Sequence, residues 1–272
     1  MRPFVGRIVL NDETAVPDIA PSAAAENLQE SMLALVGRFT ASDGRLDYHA
    51  VRGSWQWAEA VARAAALKGV DLRELGGSPA RLAFWINVYN ALVFHAIVAL
   101  RVRRTVWELR GFYRRVSYRI GGLTLSADDI EHGILRDNAR PGWLRGRRFG
   151  RSDPGLALAV HPMDPRIHFA ITCGTQSCPP VGVYRAETLD AQLDLATRSF
   201  LNQDVALSER GKVTCSRILR WYRRDFRISG GLGAFLMRHL DAGPVREAIG
   251  GRARPCDVYR RYDWTLQHEP AE

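Results

Sequence analysis

Residues 78–100 read Ser78-Pro-Ala-Arg-Leu-Ala-Phe-Trp-Ile-Asn-Val-Tyr-Asn-Ala-Leu-Val-Phe-His-Ala-Ile-Val-Ala-Leu100, and this run decides the architecture. Ser78 and Pro79 predict a helix start, because proline suits a first turn whose N–H groups lack helical partners anyway. From there to about Leu100 apolar residues surround almost the whole helix, as expected of an element at the centre of a core. Asn87, Asn90 and His95 interrupt it. An unpaired buried amide or imidazole costs on the order of 1–3 kcal/mol, so each needs a partner. At about 100° per residue the asparagines lie roughly 60° apart, with His95 roughly 80° from Asn87 on the other side. Two roles fit this shared face: an internal hydrogen-bond network fixing irregular backbone, or the polar wall of a catalytic pocket.

On the N-terminal side, residues 1–21 read as an irregular leader punctuated by Pro3, Pro17 and Pro21. A helix follows from Ser22, as N-cap, to about Arg38, and another from about Ala50 to Lys68. On the C-terminal side, Val116–Ile120 and Leu123–Leu125 flank Gly121-Gly122 as a hairpin. Ser126-Ala-Asp-Asp129 resembles a capping box opening a helix to about Leu135. Residues 138–166, rich in Arg, Gly, Pro and Asp, read as a surface excursion. Arg166–Cys173 is the strongest strand candidate. A helix over Thr188–Asn202 comes next, then a hairpin of Val205–Leu207 with Lys212–Cys215. Short helices near 217–224, 230–240 and 244–249 precede a closing strand over Asp257–Trp264. The class is α+β: a helix-rich single domain over residues 22–272 with a small antiparallel sheet.

Composition narrows the function classes. The chain has 272 residues, 46% hydrophobic and 25% charged, which excludes a disordered chain, a collagen-like repeat and a disulfide-dense miniprotein. The net charge is +9, but only Lys68 and Lys212 among 38 basic residues are lysines. The basic clusters (Arg101-Val-Arg-Arg104, Arg114-Arg115, Arg145-Gly-Arg-Arg148) are short and scattered, without zinc-finger or RNP-like spacing, so nucleic acid is disfavoured as a partner. Four cysteines, Cys173, Cys178, Cys215 and Cys256, are too few and too unevenly spaced for a disulfide framework. The start lacks a continuous apolar stretch, and no window approaches 18 uncharged apolar residues, so the expectation is a reduced, cytoplasmic protein without a membrane span.

Chemistry concentrates in Ile167-His-Phe-Ala-Ile-Thr-Cys-Gly-Thr-Gln-Ser-Cys-Pro-Pro180. Strand alternation puts Cys173 with Ile167, Phe169 and Ile171, as a small core hydrophobe beside the site. Cys178 ends the following loop, a common place for functional residues. Pro179 would suit the first position of a helical turn, making Cys178 its cap and favouring the thiolate. As nucleophile, Cys178 needs a base and a group to orient it. His168 is the first candidate base, His95 the second and His132 the third. Glu131, in Asp128-Asp-Ile-Glu-His132, is the candidate orienter with Asn90. Oxyanion donors would come from the Gly174–Ser177 loop or Asn90, because Pro179 and Pro180 lack N–H groups. Asn87, Asn90, His95, His132 and Cys173 are the expected pocket lining. Zinc competes for Cys173, Cys178 and His168, although their spacing matches no standard knuckle, and no cofactor is expected.

These segments resemble the DUF547 family of bacteria and plants, a family without an assigned function. The resemblance rests on Ala83-Phe-Trp-Ile-Asn-Val-Tyr-Asn-Ala91 with His95, Asp129-Ile-Glu-His132 and His168 through Pro180. Trp221-Tyr222 with Asp225-Phe226, and Tyr262-Asp-Trp264, extend it over about residues 45–265. Two positions depart from the family pattern: Thr172 stands where asparagine is usual, and Gln267 where another asparagine is common. The expectation is a cysteine-dependent acyl-transfer enzyme (amidase, peptidase or transglutaminase-like) with a papain-like or transglutaminase-like fold by analogy. It would act on an amide or thioester of a small molecule or peptide, and the Arg-rich stretch at 138–151 would guide an anionic substrate. The alternatives are a non-catalytic binding or scaffold protein, whose Cys, His and Asn groups form a structural network, and a zinc-dependent hydrolase.

Overall fold

A computed structural model describes residues 6–12, 19–43, 45–140 and 146–266. Pro3, Pro17, Arg145 and Gln267, named above, lie outside the described residues. The helices are α1 (Pro21–Phe39), α2 (Tyr48–Gly53), α3 (Trp55–Ala66), α4 (Ser78–Ala99), α5 (Phe112–Arg115), α6 (Leu189–Asp204), α7 (Arg217–Trp221), α8 (Leu232–His239) and α9 (Pro244–Ile249). Two three-stranded sheets accompany them. Ile8–Val9 (β1) runs parallel to Val116–Ile120 (β2), which pairs antiparallel with Leu123–Ser126 (β3). Ala206–Leu207 (β4) pairs antiparallel with Val213–Cys215 (β5), which runs parallel to Val258–Tyr259 (β6). The class is α+β, and each sheet is mixed rather than purely antiparallel.

The apolar run over residues 78–100 forms α4, buried on nearly every side at the centre of a core shared with α1, α3, β2 and β3. Contrary to the hydropathy reading, α4 is long and apolar enough to cross a membrane; 89% of its most apolar window is buried inside the protein, as in a core helix. A second apolar core gathers Phe169, Phe226 and Phe235 with Leu201, Val213 and Leu219. The candidate site lies between these cores.

Several boundaries depart from the sequence reading for local reasons. Within residues 1–21, Ile8–Val9 forms an edge strand, and Asn11 Nδ2 donates to Ala64 and Arg119 carbonyls while its Oδ1 accepts the Arg119 N–H. Pro21 takes the first turn of α1, so Ser22 lies inside it. The helix expected from Ala50 to Lys68 is two, because Ser54 leaves helical geometry and caps α3 by accepting the Trp57 N–H. Asp257–Trp264 is strand only at Val258–Tyr259.

The largest correction concerns Arg166–Cys173, which is not a strand. Asp164 accepts the Arg166 N–H and Pro165 opens a 3-10 turn over Pro165–Phe169. The chain then runs extended with Asn90, not a neighbouring strand, taking up the backbone groups of Ala170 and Thr172. The expectation of reduced cysteines is corrected too: Cys215 and Cys256, 41 residues apart, form a disulfide tying β5 to the segment before β6.

Candidate functional site

A cavity of about 450 Å³ opens between the two cores. Its rim is aromatic: Trp107 packs against Trp264 with ring centroids 4.9 Å apart, and Trp264 against Trp221 at 5.7 Å. Trp107 and Trp221 are about half exposed, so the cavity communicates with solvent through this rim. Deeper inside stand Cys173, Cys178, His168, Glu131 and His132. The structure therefore brings together five of the residues singled out from sequence.

Asn87, Asn90 and His95 do not line this cavity. Asn87 donates from Nδ2 to the Tyr184 carbonyl (2.7 Å) and accepts the Tyr184 N–H at Oδ1 (2.9 Å). Asn90 does the same to the Ala170 carbonyl and the Thr172 N–H, at 2.9 Å each. Each asparagine thus fastens an irregular segment to α4 in place of a strand neighbour. Asn90 reaches the cavity only through the segment it holds, which leads directly to Cys173. His95 bonds the Tyr118 hydroxyl through Nδ1 (2.8 Å) and meets Trp57 edge-on. Burial pulls its pKa down to about 4, so it is a neutral core imidazole.

The cysteine loop is a tight turn. Thr172 Oγ1 accepts the Gly174 N–H, a short hydroxyl contact that an asparagine side chain can also make. Gly174 takes φ of +78°, where a Cβ would also run into Ile97. The Cys178 N–H closes the turn onto the Thr175 carbonyl (2.9 Å). No helix begins at Pro179, so Cys178 is not a helix cap. Its sulfur is served instead by the Cys173 N–H at 3.0 Å, the Tyr262 hydroxyl at 3.2 Å and the Thr175 hydroxyl at 3.5 Å. Burial opposes ionisation of Cys178, but hydrogen bonding from the Cys173 side chain, then from Tyr262 and Thr175, outweighs it and holds the thiol below its ordinary value. Burial and the neighbouring Cys178 push the Cys173 thiol up.

The imidazole arrangement differs from the one expected. His168 Nε2 lies 2.9 Å from Asp225 Oδ2. Arg136 grips that carboxylate through Nε (2.7 Å) and Nη2 (3.0 Å), a two-pronged pairing. Burial opposes the charge on Asp225, and the bonds from His168 and Arg136 overcome it, bringing its carboxyl down to about 2. An ionised Asp225 puts the His168 proton on Nε2 and leaves Nδ1 as a lone pair. That Nδ1 is buried with no hydrogen-bond partner among the described residues. The ring stacks on Tyr222 at 3.8 Å, and burial lowers its pKa. No imidazole nitrogen among the described residues bonds the Cys178 sulfur.

Glu131, expected to orient the base, belongs to a different network. Ser126 and Asp129 exchange capping-box hydrogen bonds, and the helix they open is a π-helix over Asp129–Leu135, a form frequent at functional sites. It turns Glu131 and His132 toward the cavity. The Glu131 carboxylate accepts from Tyr222 (2.6 Å) and Tyr89 (3.2 Å). Burial works against its charge, while His132, Tyr222 and Arg136 bring the pKa below the ordinary value. Arg136 Nη1 lies 2.9 Å from His132 Nδ1, and burial lowers the pKa of that ring.

Several functional candidates were not assigned from sequence: Asp225, Arg136, Tyr222, Tyr89, Tyr262 and Thr175. Trp221-Tyr222, Asp225 and Tyr262 stood inside the segments of family resemblance, which was the available signal. Three of the expected oxyanion donors are engaged elsewhere: Gly174 N–H by Thr172, Gln176 N–H by the Thr265 carbonyl (2.9 Å) and Asn90 by the backbone it clamps. Tyr262 is the hydroxyl donor at the sulfur. Among the described residues no three His, Cys, Asp or Glu side chains converge as a metal site requires, so Cys173, Cys178 and His168 do not form the zinc ligand set considered above. In the excursion, Arg148 is ion-paired with Asp129 and Arg147 donates to the Asn138 carbonyl, so both side chains serve the local fold.

The comparisons agree with this geography. The model of a family described as "Protein of unknown function, DUF547" matches residues 72–201, from just before α4 through the cysteine loop into α6. The chain carries a DUF547 domain. The DUF547 match covers α4, the π-helix, His168 and both site cysteines, while Asp225 and Tyr262 lie beyond it. No curated protein and no solved structure matches the chain.

Proposed function

We propose that this DUF547 protein is a cysteine-dependent acyl-transfer enzyme in which Cys178 attacks an amide or thioester carbonyl. The observation that carries the reading is one cavity holding both a thiol whose sulfur receives the Cys173 N–H and an imidazole whose Nδ1 has no hydrogen-bond partner among the described residues. Because the Cys173 N–H already donates to the sulfur and two hydroxyls contact it, Cys178 does not need an imidazole against it at rest. His168 instead serves the leaving group and then the attacking water or amine: its Nδ1 accepts and returns a proton while Asp225 holds Nε2–H. Tyr262 donates to the sulfur, and Glu131 with His132 forms a polar wall opposite the aromatic rim.

A cavity of about 450 Å³ suits a small molecule or the side chain of a peptide rather than a folded surface. The Cys215–Cys256 disulfide supports work in an oxidising compartment, in place of the cytoplasm expected from sequence.

The test is acylation of the resting protein by p-nitrophenyl acetate, followed by peptide mapping. The acetyl group is expected on Cys178, with iodoacetamide alkylation of the same residue already fast below pH 7. Cys178→Ala should abolish the adduct without loss of fold. Acetylation that persists in that variant, or a Cys178 that alkylates only after unfolding, overturns the proposal.

A further inference from the structure

Cys173 and Cys178 are more than neighbours in a turn. The Tyr262 hydroxyl contacts both sulfurs, at 3.0 Å from Cys173 and 3.2 Å from Cys178. Thr175 Oγ1 also meets both, at 3.1 and 3.5 Å. Both cysteines line the solvent-connected cavity and neither is in a disulfide. Acyl transfer uses one sulfur, so the second, held against the same two hydroxyls, is unexplained by that reading.

We propose that Cys178 and Cys173 form a hydroperoxide-reactive pair, with Cys178 attacking the peroxide and Cys173 resolving the product as an intramolecular disulfide. The Cys178 thiolate attacks the terminal peroxide oxygen, an S–O bond forms and the O–O bond breaks. The departing oxygen takes a proton from water and leaves as alcohol or water. Cys178 is thereby oxidised by two electrons to a sulfenic acid, and the peroxide is reduced. The Cys173 sulfur then attacks the Cys178 sulfur; an S–S bond forms, the S–O bond breaks, and the Cys173 proton leaves with hydroxide as water. An external low-molecular-weight thiol returns the pair to two thiols by exchange.

The division of labour follows from the hydrogen bonds. The two hydroxyls serve both sulfurs, but only Cys178 also receives a backbone N–H, that of Cys173 at 3.0 Å, whereas Cys173 has its own carbonyl fixed by the Tyr113 hydroxyl (2.8 Å) and its thiol pushed up by burial and by Cys178. A protonated neighbour supplies the proton that lets hydroxide leave. The turn closed by Gly174 and Thr175 keeps the two sulfurs on one side of the loop. Disulfide formation needs an approach to about 2 Å, and the two sulfurs start from 3.0 and 3.2 Å around one hydroxyl. The pairing uses the same activated Cys178 as the proposed acyl transfer but requires no acyl substrate.

Stoichiometric hydrogen peroxide, quenched and followed by maleimide labelling of the folded and then the denatured protein, tests it. Untreated protein should label at Cys173 and Cys178, and treated protein at neither, with mapped peptides joined by a Cys173–Cys178 disulfide that a small thiol reverses. In Cys173→Ser, and in Cys173→Ala as a second packing variant, Cys178 should stop at a sulfenic acid captured by dimedone. Wild-type protein that keeps both thiols, or accumulates sulfinic acid at Cys178 without a disulfide, overturns the pair. Acetylation of Cys178 by p-nitrophenyl acetate in a parallel aliquot that has seen no peroxide separates the two ideas. An adduct without a disulfide sinks only the redox pair, and a disulfide without an adduct sinks only acyl transfer.

Discussion

Asp225 Oδ2 lies 2.9 Å from His168 Nε2, and the same oxygen lies 2.7 Å from Arg136 Nε. One carboxylate therefore fixes both the tautomer of the imidazole and the position of a buried guanidinium. Asp225 is the residue through which His168 is oriented, in place of Glu131.

Replacing Asp225 with asparagine should lower the rate of Cys178 acylation at pH 7 by about 100-fold or more, because the ring loses the anion that selects Nε2–H. A change in the pH profile of acylation, not only in its amplitude, distinguishes this from general loosening. The carboxyl sits at about 2 in the fold against 3.8 ordinarily, so its stabilisation is present above the ordinary value and disappears as pH falls toward 2. Urea denaturation of wild type should show about 2 kcal/mol of this loss between pH 4 and 2. Asp225→Asn should lack that component; equal acid slopes in both proteins would contradict it.

Asn90→Ala should cost about 2–4 kcal/mol by stranding the Ala170 carbonyl and the Thr172 N–H in the interior. It should also slow alkylation of Cys178, since the freed segment carries Cys173 and the N–H that supports the thiolate. Asn87→Ala, whose partner Tyr184 stands away from the cavity, should lose similar stability and leave alkylation of the folded protein unchanged. Parallel denaturation and alkylation measurements on the two variants decide the matter.

His95 gives a pH signature with a defined sign. Its folded pKa of about 4 lies below the ordinary 6.5, so the unfolded chain binds the proton first and stability falls as pH drops from 6.5 toward 4. Buried His132 and His168, also shifted down, act in the same direction. The double replacement His95→Phe with Tyr118→Phe removes both hydrogen-bonding partners together. It should abolish about 2 kcal/mol of the wild-type loss between pH 6.5 and 5. An unchanged loss in calorimetry or denaturant titration would show that His95 does not carry it.

The sequence exposed much of this, unevenly. Asn87 and Asn90 stood out because amides in an apolar helix must be paired, but their partners, 97 and 80 residues away respectively, leave no mark in the pattern around α4. Ile167-His-Phe-Ala-Ile171 alternates like a strand. Asp164 and Pro165 instead start a 3-10 turn, and Asn90 supplies the hydrogen bonds a sheet would have given. The site's cysteines were legible from their loop, whereas Asp225 lies among ordinary surface-like arginines and gains its role only when packing brings it under His168. The Cys215–Cys256 bond was invisible for a similar reason: a single pairing across 41 residues depends on β5 meeting the segment before β6.

Tyr262, whose hydroxyl touches both sulfurs, follows Cys178 by 84 residues, and Thr265 beyond it receives the Gln176 N–H. On the ribosome, a nascent chain displays Cys178 long before this C-terminal strap has been translated. Until the strap docks, the thiol lacks its phenolic donor and reacts no faster than an unassisted cysteine. Translation order thus delays the reactive state until the polypeptide is long enough to enclose it.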